Sequence, residues 1–427
     1  MTQRLAIHGG EPVIREPFPA YRSLGEEEAV AASRVLKSGV LSAYIGARGE
    51  AFMGGPEVRA LEAEAATYFG VKHAIAVNSW TSGLITAVGV LDIEPGDEII
   101  VTPWTMVASA TAILMWNAIP VFADIDPETY NIDPRAVEAA ITPRTRAIMA
   151  VDIFGQSADL PALRAIAVRH NLKIISDTAQ APGARIGKAY AGTVADIGGY
   201  SLNYHKHIHS GEGGIIVTND DRLARRAQLI RNHGEAVIES EEPGELRNIL
   251  GFNFRLGEIE AAIAREQLRK LASKVASRQR VVEQLREGLQ GLEGLDLAHV
   301  APGNTHVYYM LGMRLDIARI GVSRVDLAGA LRAEGVTGLG VGYQNVHRFP
   351  LFRNGIAYGT SGFPWSGLEG QPKRPSTQPC PVAERLHECE FISLNICAHE
   401  FTQAETALVV DAFRKVWANL GELRQRG

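Results

Sequence analysis

A single lysine stands among three histidines in the stretch SLNYHKHIHSGEGG, which runs from Ser201 to Gly214. A lysine amine that is partly removed from water has a lowered pKa, and the free amine can form a Schiff base with a carbonyl group. Lys206 is therefore a candidate for covalent chemistry, although a solvated surface lysine is the alternative. The glycines of the GEGG turn would let the backbone pack closely against a flat ligand.

The histidines of the same stretch could instead indicate a metal site. His205, His207 and His209 alternate along the chain, so they share one face only if the segment is extended. Zinc sites usually bring acidic or thiolate ligands as well, and only Glu212 is near. We therefore expect no metal site here.

Two other stretches place polar residues directly after an apolar run. Asp177 ends LKIISD, where a carboxylate either meets a cation, such as a protonated ring nitrogen, or caps the next helix. Thr81 and Ser82 follow the run HAIAVNS and fit either a phosphate-binding turn or an ordinary helix cap. Ser201, at the end of a further run, could offer another hydroxyl to a phosphate.

The elements that must position these residues are short β-rich runs alternating with helical patterns. Continuous apolar runs separated by crossover helices predict a mainly parallel sheet covered on both faces. Ligands of such sheets bind beyond the carboxyl ends of the strands. A lysine, an acid for a ring nitrogen and two phosphate cups at one such edge describe a pyridoxal 5′-phosphate (PLP) site. The seven runs are 73–79, 97–103, 118–125, 146–155, 172–177, 196–202 and 213–220.

The chain of 427 residues is too long for one compact core. A long proline-free helical pattern at 257–289 could connect two domains. We predict an N-terminal arm (1–30), a large PLP-binding domain (31–256), a connecting helix (257–290) and a smaller α+β domain (291–427). A loop at 352–380, rich in Gly, Pro and Ser, either lies on the surface or closes over a ligand.

The composition excludes several classes of protein. With 46% hydrophobic and 21% charged residues, the chain is typical of soluble globular proteins. A net charge of −5 with interleaved acids and bases argues against a nucleic-acid surface. The sequence has no apolar run long enough for a bilayer and no signal-peptide pattern, and its three cysteines do not predict disulfides. We expect a cytoplasmic protein without nucleic-acid or membrane partners.

The lysine stretch resembles one known family, the DegT/DnrJ/EryC1/StrS aminotransferases, which use PLP to aminate keto-sugars and keto-cyclitols. The serine, the lysine and the G-E-G-G turn of the family fall on Ser201, Lys206 and residues 211–214, and the resemblance covers roughly 25–420. It implies fold type I of the PLP transferases. In that fold a seven-stranded, mainly parallel mixed sheet is flanked by helices and followed by a smaller C-terminal α+β domain.

The resemblance also implies roles for the matched residues. Lys206 would form the Schiff base, and Ser201 would touch the cofactor phosphate. The block SDTAQA matches a family block in which Asp177 pairs with the pyridinium nitrogen and Gln180 lies near the phenolic oxygen.

Other matches concern the phosphate loop and the face of the cofactor ring. NSWTSGL places Trp80, Thr81 and Ser82 on cofactor-contacting positions. Met106 stands where relatives stack an aromatic ring on the cofactor, and Trp104 is near enough in sequence to substitute for it.

The block LGFNFRLGEIEAA (250–262) resembles one that the second subunit delivers in the family. Asn253 would then contact the phosphate of the neighbour's cofactor. This match implies a homodimer with shared active sites.

The implied reaction moves an amino group from L-glutamate or L-glutamine to a keto-sugar or to a keto-cyclitol. If the acceptor is a keto-sugar, we expect it to be linked to a nucleotide. One alternative is a PLP-dependent sugar dehydratase, in which histidine replaces the lysine; here His205 stands one residue before that position. Another alternative is a PLP-binding regulator without catalysis, for which a helix-turn-helix segment before residue 30 is missing from the sequence.

Overall fold

The computed structural model describes residues 4–238, 247–366 and 378–424. Its central sheet has seven strands in the order β1-β9-β8-β5-β4-β2-β3. Only β9 runs antiparallel to its neighbours, so the predicted mainly parallel mixed sheet is confirmed. The first nine strands, of which β6 and β7 form a separate hairpin, are β1 His73–Val77, β2 Glu98–Val101, β3 Ile119–Phe122, β4 Thr145–Val151, β5 Lys173–Asp177, β6 Arg185–Ile186, β7 Ala189–Tyr190, β8 Ile197–Ser201 and β9 Gly214–Thr218.

Both faces of the large sheet are buried. Adjacent residues of one strand, Ile174 and Ile175, enter separate hydrophobic cores, as side chains of alternating direction must. Continuous apolar strands follow from this double burial. The helices of this part of the chain are α1 Glu26–Ser38, α2 Pro56–Phe69, α3 Trp80–Gly89, α4 Ala108–Leu114, α5 Pro134–Ala139, α6 Leu160–His170 and α7 Asp221–Arg231.

A helix of 32 residues, α8 (Glu258–Leu289), links the large sheet to a second one. Leu268 and Leu271 on its first half pack in a core beside the large sheet, whereas Val282 and Leu285 pack with the second sheet. The helix agrees with the one predicted from periodicity. The domain boundaries at residues 30, 256 and 290 remain a prediction.

The second sheet is antiparallel, in the order β10-β11-β13-β12. The predicted strand at 306–315 begins only at residue 311, because the chain bends at Tyr308, which has a positive φ of 52°. The predicted loop at 352–380 lies partly outside the described residues. The elements here are β10 Leu295–Leu297, β11 Leu311–Leu315, α9 Ile317–Ile320, α10 Arg324–Ala333, β12 Leu339–Val341, α11 Pro350–Arg353, α12 Pro381–Arg385, β13 Phe391–Leu394, α13 Gln403–Ala418 and α14 Leu420–Arg424.

The N-terminal segment packs against this second sheet. The buried carboxylate of Glu334 accepts hydrogen bonds from the backbone N–H groups of Ala6, at 2.8 Å, and Val13, at 3.1 Å. Leu5 and Ile14 lie in the same core as α10 and α13. Across the described ranges, helices that are both long and apolar enough to cross a membrane are absent.

Candidate active site

The carboxyl ends of β5 and β8 and the start of α3 meet at one edge of the large sheet. Gly214, the first residue of β9, is opposite Val77 on one side and Ser201 on the other. A Cβ atom on Gly214 would lie 2.9 Å from the backbone nitrogen of Trp80. The glycine therefore lets the first turn of α3 approach the strand that ends at Ser201.

Asp177 ends β5 and is buried, with 4% of its surface exposed. Its Oδ1 accepts hydrogen bonds from the Trp80 indole Nε1 at 2.7 Å and from the Ala179 backbone nitrogen at 3.2 Å. Its Oδ2 accepts one from the Ser109 hydroxyl at 2.7 Å. These donors satisfy much of the hydrogen-bonding capacity of a buried carboxylate.

Lys206 is also buried, with 7% of its surface exposed. Burial lowers the pKa of its amine from 10.5 to about 8, although the Asp177 carboxylate and the Cys397 thiol act in the opposite direction. Lys206 and Asp177 are thus close enough to interact electrostatically. A buried amine with a pKa near neutrality is able to act as a nucleophile and a base.

The three histidines beside Lys206 do not converge on a common point. His205 is exposed, whereas His207 is buried and donates its Nε2–H to the Val307 carbonyl oxygen at 2.8 Å. Burial holds the pKa of His207 well below its usual value, which favours the neutral ring. Among the described residues, clusters of three or more His, Cys, Asp or Glu side chains that could hold a metal ion are absent.

The first turn of α3 contains the residues that the sequence predicts for a phosphate-binding cup. Its cap is Ser79, whose Oγ accepts a hydrogen bond from the Ser82 backbone nitrogen at 3.0 Å. Ser82 is buried and donates its hydroxyl to Asn78 Oδ1 at 2.7 Å, while Thr81 is exposed at the helix start. The helix cap is therefore neither Thr81 nor Ser82, the two residues for which the sequence left that role open.

The residues predicted to surround the cofactor ring differ in how far they are exposed. Gln180 is buried; its Oε1 accepts from the Phe154 nitrogen at 2.8 Å, and its Nε2 donates to the Tyr343 hydroxyl at 3.2 Å. Met106 is 53% exposed, whereas Trp104 has no exposed surface and donates to Asn345 at 3.0 Å. Trp104 therefore cannot substitute for Met106, because its ring has no face open to a ligand.

Asn253 has an exposed side chain next to the cup. Its backbone carbonyl accepts a hydrogen bond from Asn78 Nδ2 at 3.3 Å, and the Phe254 carbonyl accepts one from the Asn78 nitrogen at 2.9 Å. The stretch around Asn253 thus lies against the loop that precedes α3 of its own chain.

Three further residues lie at this site and are not among those predicted from the sequence. Ser109 contacts Asp177 from the first turn of α4, and the Tyr309 ring lies 4.7 Å from Lys206 Nζ. Asp152 is fully buried behind the strand end, where its backbone nitrogen donates to the Asp177 carbonyl at 2.9 Å. The contact between Asp152 and Asp177 depends on the pairing of β4 with β5, for which the sequence carries no local signal.

Comparison with known proteins identifies the family to which this chain belongs. The model of the DegT/DnrJ/EryC1/StrS aminotransferase family matches residues 41–367. This chain belongs to that family. The aminotransferase therefore depends on PLP.

Several known proteins are similar to the whole chain or to most of it. An L-glutamine:2-deoxy-scyllo-inosose aminotransferase from Streptoalloteichus tenebrarius is 35% identical over 99% of this chain and 100% of its own length. A UDP-N-acetyl-3-dehydro-alpha-D-glucosamine 3-aminotransferase from Acidithiobacillus ferrooxidans is 38% identical over 67% of this chain and 74% of its own length. The X-ray structure of an aminotransferase from Psychrobacter cryohalolentis superposes with a TM-score of 0.80 at 29% identity, covering 95% of this chain and 100% of that one.

Proposed function

We propose that this aminotransferase transfers the amino group of L-glutamine or L-glutamate to the carbonyl carbon of a keto-cyclitol. The support for this acceptor is the relative from Streptoalloteichus tenebrarius, which is similar over nearly the full length of both chains. A nucleotide-linked keto-sugar is the second candidate, favoured by the relative from Acidithiobacillus ferrooxidans. The observation that carries the chemistry is the buried Lys206 amine, with its pKa of about 8, beside Asp177.

The side chains at the sheet edge fit PLP. The Lys206 amine would bond to the aldehyde carbon, and the Asp177 carboxylate would pair with the ring nitrogen. The start of α3, with Thr81 and Ser82, and the Ser201 hydroxyl would hold the phosphate, since a helix N-terminus and hydroxyl groups bind anions. Trp80, Met106 and Gln180 would complete the pocket. When bound, PLP supplies an electron sink for the negative charge that develops at the α-carbon of the amino donor.

Lys206 would also move the proton on which transamination depends. Its Nζ would accept the proton from the α-carbon of the donor and would then deliver it to the carbon of PLP that had carried the aldehyde oxygen. A base works best when its pKa is near the working pH, and burial brings that of Lys206 to about 8. The Asp177 carboxylate would lie against the ring nitrogen of PLP and would favour the protonated form of that nitrogen.

Two alternative functions differ in what the lysine does. A sugar dehydratase would use a histidine in its place, but His205 is exposed while Lys206 is buried. A regulator that only binds PLP would need no base near the donor α-carbon. The buried amine beside Asp177 favours the aminotransferase over both.

The test combines purified protein, PLP, L-glutamine and 2-deoxy-scyllo-inosose, with mass spectrometry of the product. Amino transfer replaces the carbonyl oxygen by an amino group, whereas dehydration removes water without adding nitrogen. Borohydride reduction should fix the cofactor on the peptide that contains Lys206. Reduced adduct in a Lys206→Ala variant would refute the assignment of this residue. Turnover of a nucleotide-linked keto-sugar alone would establish the second candidate.

We further propose that the enzyme is a homodimer in which Asn253 serves the active site of the partner. Two exposed apolar residues lie on segments beside Asn253: Leu250 on its own segment, and Ile45, whose carbonyl accepts a hydrogen bond from Asn232, the residue paired with Asn253. Gly46 and Gly251, which follow Ile45 and Leu250, both approach His233, so these apolar residues share one region. An exposed apolar region of this kind is typical of a subunit interface.

Complementation tests the shared site. Co-expressed Lys206→Ala and Asn253→Ala chains form mixed dimers with one intact site only if Asn253 acts across the interface. Random pairing would then restore roughly a quarter of wild-type activity. If Asn253 acted within its own chain, every site would carry a defect and activity would stay at the level of the single variants.

We also propose that the enzyme works in the cytoplasm. Its three cysteines are free thiols, two of them buried, which is the usual state in a reducing compartment. Fractionation of cells that express a tagged protein tests this location; recovery of the protein outside the cytoplasm would contradict it.

A further inference from the structure

The indole of Trp80 is turned toward the interior and reaches the carboxylate of Asp177. Its Nε1 lies 2.7 Å from Oδ1, and both side chains are buried. On the other side of the carboxylate, the buried Ser109 hydroxyl lies 2.7 Å from Oδ2. Trp80 belongs to α3 and Ser109 belongs to α4. Each of these two helices therefore provides one hydrogen-bond donor to the Asp177 carboxylate.

Glycines make the space that the indole occupies. A Cβ atom on Gly199, in β8, would lie 2.3 Å from Cη2 of Trp80. A Cβ atom on Gly83, one turn along α3, would lie 2.5 Å from its Cε3. Separations this short are not tolerated, so a side chain at either position would displace the ring. The two glycines thus leave room for the indole in the orientation that donates to Asp177.

The number of donors assigns the two oxygens different roles. A carboxylate oxygen accepts about two hydrogen bonds. Oδ1 already accepts from Trp80 Nε1 and from the Ala179 nitrogen, whereas Oδ2 accepts from Ser109. Oδ2 therefore keeps capacity for one more donor.

We propose that Trp80 and Ser109 are positioning residues that lock the Asp177 carboxylate and present its Oδ2 to the ring nitrogen of PLP. This proposal rests on the proposed function, in which Asp177 pairs with that nitrogen. It gives Trp80 a role in addition to lining the pocket, and it adds Ser109 to the site. Both residues act through Asp177.

The first test is the affinity for PLP, measured by equilibrium dialysis of the apoprotein. Trp80→Phe removes the donor and keeps an aromatic ring in the same space. Hydrogen bonds to charged groups predict a loss of affinity of roughly ten- to a hundredfold. Ser109→Ala should weaken binding in the same direction with a minimal change in volume, and it keeps the test available should Trp80→Phe fail to fold.

Trp116→Phe is the matched control. Trp116 is also a buried tryptophan, 8% exposed, and its Nε1 donates at 2.7 Å to the Ile85 carbonyl oxygen. The substitution thus removes the same group in a comparable environment with no contact to Asp177. It should leave PLP affinity unchanged even if it lowers the melting temperature.

A double-mutant cycle separates positioning from packing. In an Asp177→Asn background the carboxylate is already lost, so Trp80→Phe should change PLP affinity by less than about twofold. An equal loss in both backgrounds would show that the indole acts by packing alone, and the proposal would be wrong. A second readout is the pH dependence of the visible absorbance of bound PLP, which should shift in Trp80→Phe and not in Trp116→Phe.

The outcomes also distinguish this proposal from the proposed function. If wild-type protein bound no PLP, the proposed function would fail. If wild-type protein bound PLP and both Trp80→Phe and Ser109→Ala bound it equally well with unchanged spectra, only the positioning role would fail.

Discussion

The Nζ atom of Lys206 lies 4.7 Å from the centre of the Tyr309 ring. A ring face attracts an ammonium group, which by itself would raise the pKa of the lysine. The pKa is nevertheless lowered to about 8, because burial outweighs the attraction of the neighbouring groups. Because the Tyr309 ring lies over the amine, we expect it to act as a cover that keeps water from Lys206.

This cover predicts a change in the reactivity of the apoprotein. In Tyr309→Ala, water should reach Lys206, and the pKa should rise from about 8 toward its ordinary value of 10.5. The rate at which the apoprotein takes up PLP, followed by absorbance across a pH series, should then rise at higher pH than in wild type. Tyr309→Phe keeps the ring and should retain the wild-type profile; an unshifted profile in Tyr309→Ala would contradict the role of the ring.

Lys206 also predicts a stability effect in the apoprotein. The folded-state pKa of about 8 is depressed below the ordinary 10.5, so the folded state loses stability as the pH falls from 10.5 through 8. Below pH 8 the full penalty, about 3 kcal/mol, is present. Lys206→Met should therefore stabilise the apoprotein at pH 7 and lose this advantage near pH 10.5. Urea denaturation at the two pH values measures the difference, and a pH-independent difference would refute the prediction.

Asp152 predicts a stability change in the opposite direction. Burial raises the pKa of this carboxyl group from 3.8 to about 6, despite hydrogen bonds from Thr178, Ala158, Ser157 and Ser176. A raised folded-state pKa gives stability that is present below pH 3.8 and lost as the pH rises through 6. The free energy of unfolding of wild type relative to Asp152→Asn should fall by about 3 kcal/mol over that range. Parallel pH profiles for the two proteins would contradict it.

The close contacts around Gly199 predict that adding one methyl group there lowers the stability of the fold. In Gly199→Ala the new Cβ would meet Cη2 of Trp80 at 2.3 Å and the Ile215 carbonyl oxygen at 2.2 Å. Overpacking of this kind destabilises by roughly 1–3 kcal/mol and should also weaken PLP binding through Trp80. Gly329→Ala is the control: it lies in α10, its Cβ would meet only Ile7 at 3.8 Å, and the alanine should stabilise the helix. Thermal unfolding compares them, and equal melting temperatures would refute the prediction.

The architecture was predictable because its signals are local. The seven strands appear as apolar runs, and α8 appears as an uninterrupted helical period, so their order along the chain and burial follow from the residues. Lys206 and Asp177 could be proposed because each follows such a run. The direction in which a side chain leaves the backbone carries no local signal, as Trp80 shows: its contact with Asp177 depends on glycines in β8 and α3.

Other features depended on contacts between distant segments. Trp104 and Met106 are two residues apart, yet one is fully buried and the other is 53% exposed, because the first packs between Phe391 and Tyr130 from elsewhere in the chain. The late start of β11 results from the positive φ of Tyr308, a conformation that tyrosine seldom adopts. Ser109 was missed because its hydrogen bond to Asp177 depends on how α4 packs against the large sheet.

The position of β9 between β1 and β8 determines when the site can form on the ribosome. His73, which opens β1, pairs with Thr218, at the end of β9. The strand before α3 therefore has no neighbour in the sheet until almost the first 220 residues have left the exit tunnel. Strand pairs between residues this far apart in the sequence form slowly. The start of α3 is thus brought beside Ser201 among the last steps in assembling the large sheet, after the strand that carries Asp177 has been made.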